Sequence, residues 1–195
     1  VFHIPNGVRL KNFEGKAGGK GDSTFVVGFL GAFGDWVDLD MVFEAAEELQ
    51  GVKFLLVGAG EQFDYAVHRA SKLPNVELTG LVPFEEVPDY IQRMDVCLVP
   101  FKVNPLTDAV CPIKLFEYWA MRKPVIATSF YEVTRIARGK VLFADNAQEL
   151  EEAILRLEGD KGLREELGQK GYVEVAEKYD WEVLAGQYRS VLSTL

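Results

Sequence analysis

Cysteine and histidine are scarce in this chain of 195 residues, with two of each. Cys97 and Cys111 cannot make a disulfide framework, and no Cys/His spacing suits a structural metal, so a reduced, cytoplasmic protein is expected. Neither His3 nor His68 shares a motif with Cys111, so a Cys–His nucleophile is not expected, and His68 reads as an exposed helical residue. No apolar run approaches the roughly 18 residues needed to span a bilayer, and no signal peptide is visible. Basic residues are outnumbered 21 to 30, for a net charge of −9 without any basic run. Nucleic acid is therefore not an expected partner, and an anionic membrane surface is disfavoured globally. No carboxylate cluster calls for a tightly held metal, and no repeat or coiled-coil period is visible.

What the chain does have is apolar bulk: 48% of its residues are hydrophobic and 12% aromatic. That is enough for one substantial core, a single domain over 1–195. Short runs rich in Val, Leu and Phe at 24–30, 53–57, 76–79, 96–100, 124–128 and 141–144 are bounded by Gly, Pro or Asp and predict parallel strands buried on both faces. Between them, Val42, Ala45, Ala46 and Leu49 follow an Asp38 cap at helical spacing, and Leu150, Ala153, Ile154 and Leu157 repeat it after Asn146. Helices near 61–72, 85–93, 113–122 and 131–138 fill the other crossovers. The expected fold is a doubly wound, Rossmann-like α/β sheet of about six strands over 24–160. Two more helices, near 161–178 and 181–194 within a C-terminal segment 161–195, should cap one side. Residues 1–23 read as a linker and a flexible loop carrying Gly15, Gly18, Gly19 and Gly21.

The stretch from Pro112 to Thr128 concentrates the chemistry. A helix beginning with Pro112 presents free N–H groups and the positive end of its dipole, a ready anion site. Lys114 adds a mobile cation. Glu117, one turn on and on the same face, can accept hydrogen bonds from a sugar diol. The bland alternative is a surface Lys–Glu pair. Ligands of open parallel sheets bind beyond the carboxyl ends of the strands, which directs attention to Gly31 and Gly34 with Asp35, Trp36 and Asp38, then to Gly58 and Gly60, then to Gly80, Leu81 and Val82. For the first of these loops the bland alternative is a tight turn, with Asp38 capping a helix and Trp36 packing.

The run Pro112-Ile113-Lys114-Leu115-Phe116-Glu117-Tyr118-Trp119-Ala120, closing on Lys123-Pro124-Val125-Ile126-Ala127-Thr128, resembles the donor-site helix of GT-B-fold glycosyltransferases, particularly family 4 and its relatives. Ile4-Pro5-Asn6-Gly7-Val8 resembles their passage from acceptor to donor domain, and Phe29-Leu30-Gly31-Ala32 their first glycine turn. Val57-Gly58-Ala59-Gly60, Thr79-Gly80-Leu81-Val82-Pro83 and Asp95-Val96-Cys97-Leu98-Val99-Pro100 are similar to the next strand ends, and Tyr179-Asp180-Trp181 to the start of the last helix. The resemblance implies the donor-binding half of a hexosyltransferase, of retaining type, that moves a sugar from a UDP- or GDP-type carrier to a glycan or lipid-linked acceptor in polysaccharide biosynthesis. It implies that Glu117 holds the ribose, that Leu81 and Val82 hold the base through main-chain groups, and that the Ile113 and Lys114 main chain with the Lys114 ammonium meets the diphosphate. Lys114 would then stabilise the leaving group. No cofactor is implied.

Three positions depart from that family. The acid expected eight residues before Glu117 is Ala109, with Asp108 beside it. The Arg and Lys expected in the first glycine turn are Ala32 and Val37, a gap that Lys114 can fill. The glycine expected at the helix end is Arg122, which either accepts a left-handed conformation at a cost of roughly 1 kcal/mol or serves elsewhere, the phosphates included. The chain begins at Val1, inside the interdomain motif, and reads as a fragment whose N-terminal acceptor domain, with any catalytic base, lies outside it. Such a fragment is expected to fold but not to turn over. The full protein is expected in the cytoplasm, with peripheral association at the inner membrane face open. The alternatives are a GT-B-type sugar-nucleotide epimerase or a noncatalytic α/β binding module.

Overall fold

Six short runs of β-branched, leucine and phenylalanine residues form one parallel sheet in the computed structural model, which describes residues 5–13 and 24–193. The strands are β1 Val26–Leu30, β2 Lys53–Val57, β3 Val76–Leu78, β4 Val96–Val99, β5 Val125–Ala127 and β6 Leu142–Phe143, in the order β3-β2-β1-β4-β5-β6. All neighbours run parallel, with β1 registered on β2 from Val26↔Lys53 to Leu30↔Val57. The inner strands β1, β4 and β5 are buried at every residue, as a sheet covered on both faces requires. The edge strand β3 is only half-buried and carries Glu77, which pairs with Lys53 at 2.6 Å and Arg93 at 2.7 Å. Charge on an edge discourages pairing with another chain.

The crossovers are α1 Leu39–Glu48, α2 Phe63–Ala70, α3 Val87–Arg93, α4 Pro105–Asp108, α5 Ile113–Ala120, α6 Tyr131–Ala137 and α7 Ala147–Gly159, followed by α8 Lys161–Lys178 and α9 Trp181–Leu192. The two caps expected from the sequence are present. Asp38 accepts a hydrogen bond from Met41 N–H at 3.1 Å, and Asn146 from Glu149 N–H at 2.9 Å. Helix α8 packs on α5, so the first C-terminal helix covers the face that α5 occupies. His68 is exposed on α2 and Cys97 is buried in β4, as expected. Among the described residues no helix is long and apolar enough to cross a membrane. The glycine-rich stretch with Gly15, Gly18, Gly19 and Gly21, and His3, lie outside the described residues.

Arg122 does take the left-handed conformation, with φ 53°, alone among the described non-glycine residues. Its N–H bonds Trp119 O at 2.9 Å, and Lys123 N–H bonds Tyr118 O at 3.0 Å, the paired bonds that close a helix on a left-handed residue. The guanidinium lies 3.7 Å from the centre of the Tyr172 ring on α8. This stacking offsets the backbone cost, and it places Arg122 at the end of α5 opposite Lys114, about 12 Å along the axis at 1.5 Å per residue. A phosphate role for Arg122 is thereby corrected. Replacing Arg122 by alanine should cost about 1 kcal/mol more stability than replacing it by glycine, because both lose the stacking but only glycine relaxes at positive φ. Chemical denaturation of the two variants checks the order.

Candidate functional site

The β1–β4 register ends at Gly28↔Cys97, so the two central strands part before their carboxyl ends. Tyr118 of α5 fills the gap. It is fully buried, and its hydroxyl accepts from Leu30 N–H at 2.9 Å and lies 3.3 Å from Leu30 O, to which it can donate. Burial pushes the phenol well above its ordinary pKa, so the group stays neutral and keeps its proton for that contact. Helix α5 is thus fastened to the strand that leads into Gly31. Tyr118→Phe should cost about 1–2 kcal/mol in urea unfolding, chiefly by leaving a buried N–H unpaired. A change within error would contradict the fastening role.

The start of α5 differs from expectation in one detail. Pro112 is the N-cap, extended at φ −78° and ψ 105°, rather than the first helical residue. The first bond of the helix runs from Leu115 N–H to Pro112 O at 3.1 Å, so the N–H groups of Ile113 and Lys114 stand ahead of the ladder. Lys114 Nζ lies 2.9 Å from Glu117 Oε2. The bland reading of this pair is corrected, because Glu117 is 4% exposed. A carboxylate so buried needs its partner, since desolvating an unpaired charge is costly.

Two cavities open on either side of Lys114. The smaller, about 270 Å³, is walled by the strand ends through Gly31, Gly58, Leu81 and Val82, and by Phe84. The larger, about 400 Å³, lies between Trp36, Phe101 and the segment from Leu106 to Ile113. Among the described residues lining them, Lys114 is the only charged side chain and the only residue common to both. The first glycine turn supplies no cation: Ala32 lines the smaller cavity and Val37 is fully buried.

Of the residues singled out in the sequence, the structure brings together Gly31, Gly58, Leu81, Val82, Ile113 and Lys114, with Glu117 behind Lys114. Gly58 has φ +135°, and a side chain there would run into the Gly31 carbonyl, so the two turns touch as only glycine permits. Gly34 and Gly60 line neither cavity. The space a Gly34 side chain would take is filled by the Trp36 indole, and a Cβ on Gly60 would lie 2.8 Å from the Phe33 backbone. In that turn Asp38 caps α1, and the Trp36 indole lies over Gly34 while also lining the larger cavity, so protein atoms already occupy the space beside both glycines. Asp108 is partly spent, since its Oδ1 accepts from Tyr131 N–H at 2.8 Å. Cys111 lines the larger cavity, but burial raises its pKa, which disfavours a nucleophilic thiolate.

Sequence reasoning missed Phe84 and the larger cavity. Phe84 is 53% exposed at the start of a short 3-10 helix, Phe84–Glu86, and its place two residues after Val82 was the available signal. The cavity had none, because residues from the first turn, the end of β4 and the loop into α5 converge only through the fold.

Residues 24–160 match the family of glycosyl transferases group 1. TuaH of Bacillus subtilis, a glycosyltransferase named for teichuronic acid biosynthesis, is 29% identical over an alignment of 197 positions that takes in 96% of this chain and 49% of that protein. MJ1178 of Methanocaldococcus jannaschii, an uncharacterized glycosyltransferase, is 28% identical over 182 residues, covering 90% of this chain and 50% of that one. The chain thus spans about half the length of the curated relatives it matches. Sucrose-phosphate synthase from Thermosynechococcus elongatus superposes with a TM-score of 0.82 at 22% identity, over 98% of this chain and 53% of that one. Anabaena HepE, solved with UDP and glucose, gives 0.75 at 16% identity, over 98% of this chain and 56% of that one. The isolated C-terminal domain of the group 1 protein LpcC from Francisella tularensis gives 0.68 at 18% identity, over 91% of this chain and 96% of that domain. These superpositions establish the doubly wound fold as that of one half of such proteins.

Proposed function

Because the chain belongs to the glycosyl transferases group 1 family, we propose that it is the donor-binding half of a sugar transferase, taking a nucleoside diphosphate sugar across Lys114. One observation carries the reading: among the described residues, the only charged side chain lining either cavity stands at the start of α5, between the two, paired with a buried carboxylate. In this reading the base enters the smaller cavity, against the Leu81 and Val82 main chain and the Phe84 ring. The ribose hydroxyls reach Glu117, whose second oxygen can accept one hydrogen bond while Oε2 is shared with Lys114. The diphosphate meets the Ile113 and Lys114 N–H groups and the ammonium. HepE is solved with UDP and with UDP-glucose, which supports the ligand class.

The chemistry follows from the placement of charge. Breaking the bond between the anomeric carbon and the phosphate oxygen leaves negative charge on the nucleoside diphosphate. Fixed N–H donors, the helix dipole and the ammonium stabilise that charge more as it develops than in the ground state. Lys114 thus acts on the leaving group. The acceptor, and any group that activates it, belong in this reading to a second domain facing the strand ends.

A panel of nucleoside diphosphates and their sugars in a thermal-shift assay tests the reading. Selective binding contributes RT ln(1 + [L]/Kd), about 2.7 kcal/mol at a hundredfold excess over Kd, so one base series should stand out. A flat response across uridine, guanosine, adenosine and thymidine diphosphates would contradict it.

A further inference from the structure

The larger cavity has walls that suit only part of sugar chemistry. Since Lys114 is the one described residue that the two cavities share, a ligand whose charge sits on that ammonium extends one arm into each. Resting on the donor reading above, the arm in the larger cavity is the sugar. That wall is built from Trp36, Phe101, Leu106, Val110, Cys111 and Ile113, of which Leu106 is 65% and Ile113 44% exposed. Among the described residues its one hydroxyl, on the fully buried Thr107, is already engaged: Oγ1 accepts from Asn104 N–H at 3.0 Å and donates to Lys102 O. A hexose hydroxylated at C2, C3, C4 and the exocyclic C6 would give up water against this wall and find few partners. A methyl group would instead cover the apolar side chains and gain by burial.

We propose that the donor sugar carries a methyl-terminated substituent, the C-methyl of a 6-deoxyhexose or the acetyl of an acetamido sugar, and that Leu106, Val110 and Ile113 select it. These residues determine specificity and take no part in bond breaking. Cys111, half-buried in the same wall, reports on occupancy, while Cys97 is fully buried and silent.

Calorimetry on this chain with matched donors tests the proposal. The pairs are UDP-N-acetylglucosamine against UDP-glucose, GDP-6-deoxy-D-mannose against GDP-D-mannose, and dTDP-6-deoxy-D-glucose against dTDP-D-glucose, each with its bare diphosphate. In the series of the preferred base, the methyl-bearing donor should bind about tenfold or more tighter than its hydroxylated counterpart. Which pair shows the gap distinguishes the acetyl from the deoxy source. Leu106→Gln changes an exposed residue outside the nucleotide cavity, and should erase the preference while leaving bare diphosphate affinity unchanged. N-ethylmaleimide labelling of Cys111 should be slowed by the preferred donor and little by the diphosphate. Equal affinity within every pair, or a preference that survives Leu106→Gln, overturns this proposal and leaves the donor reading standing, provided a diphosphate binds. If no diphosphate binds, both fail.

Discussion

Lys114→Met should weaken binding of a nucleoside diphosphate by about 1.5–3 kcal/mol, the usual cost of a charge-assisted contact, with little change for the uncharged nucleoside. Methionine keeps much of the stem and removes the charge. No other charged side chain among the described residues lines either cavity, and Arg122 is held at the far end of α5 on Tyr172. The loss should therefore go uncompensated and should shrink in high salt for the wild type, where screening already weakens the contact. Calorimetry with the two ligands gives the comparison directly. An equal loss for both would mean that Lys114 works by holding Glu117 in place, and the phosphate role would pass to the main chain of Ile113 and Lys114.

Glu117→Gln should weaken nucleoside diphosphate binding tenfold or more, about 1.4 kcal/mol upward, while the chain keeps its fold. Glutamine preserves shape in a tightly packed site, but it replaces a charged acceptor by a neutral one facing the ribose. The ion pair adds a second consequence. In the free protein Lys114 is held at 2.9 Å by Glu117, so the substitution releases the ammonium. Inorganic pyrophosphate should then bind as well as before or better, while the nucleoside diphosphate binds worse. Effects in opposite directions for the two ligands separate a ribose contact from general damage to the site. The double variant should also depart from additivity by about 0.5–3 kcal/mol, since the two side chains touch. Unchanged affinity for the nucleoside diphosphate would sink the ribose assignment.

The strand pattern was legible because β1, β4 and β5 are buried on both faces and so read as unbroken apolar runs. Asp38 and Asn146 were legible as caps because an oxygen just before an apolar helical stripe has few other uses. Helix α4 was not. Four residues, held by the Asn104 side chain on Leu106 and Thr107 N–H, leave no periodicity to detect. In the site, the Lys114–Glu117 contact followed from spacing, but its burial did not: only the packing of α8 on α5 and of α5 on the sheet makes Glu117 a buried charge rather than a solvated one. Gly34 and Gly60 misled for a related reason. A glycine marks a place where a side chain cannot fit, and only the fold tells whether the intruder is a ligand, the Trp36 indole or the Phe33 backbone. Arg122 shows the converse, a left-handed position kept without glycine because a ring on another helix supports it.

The most direct test is a crystal structure of this chain grown with the nucleoside diphosphate that it binds best. The phosphates should lie on Lys114 Nζ and the N–H groups that open α5, the ribose on Glu117, and the base between Leu81, Val82 and Phe84. Density for the diphosphate elsewhere, such as the cavity beside Lys53 and Asn75, with Lys114 still closed on Glu117, would contradict the donor-site assignment.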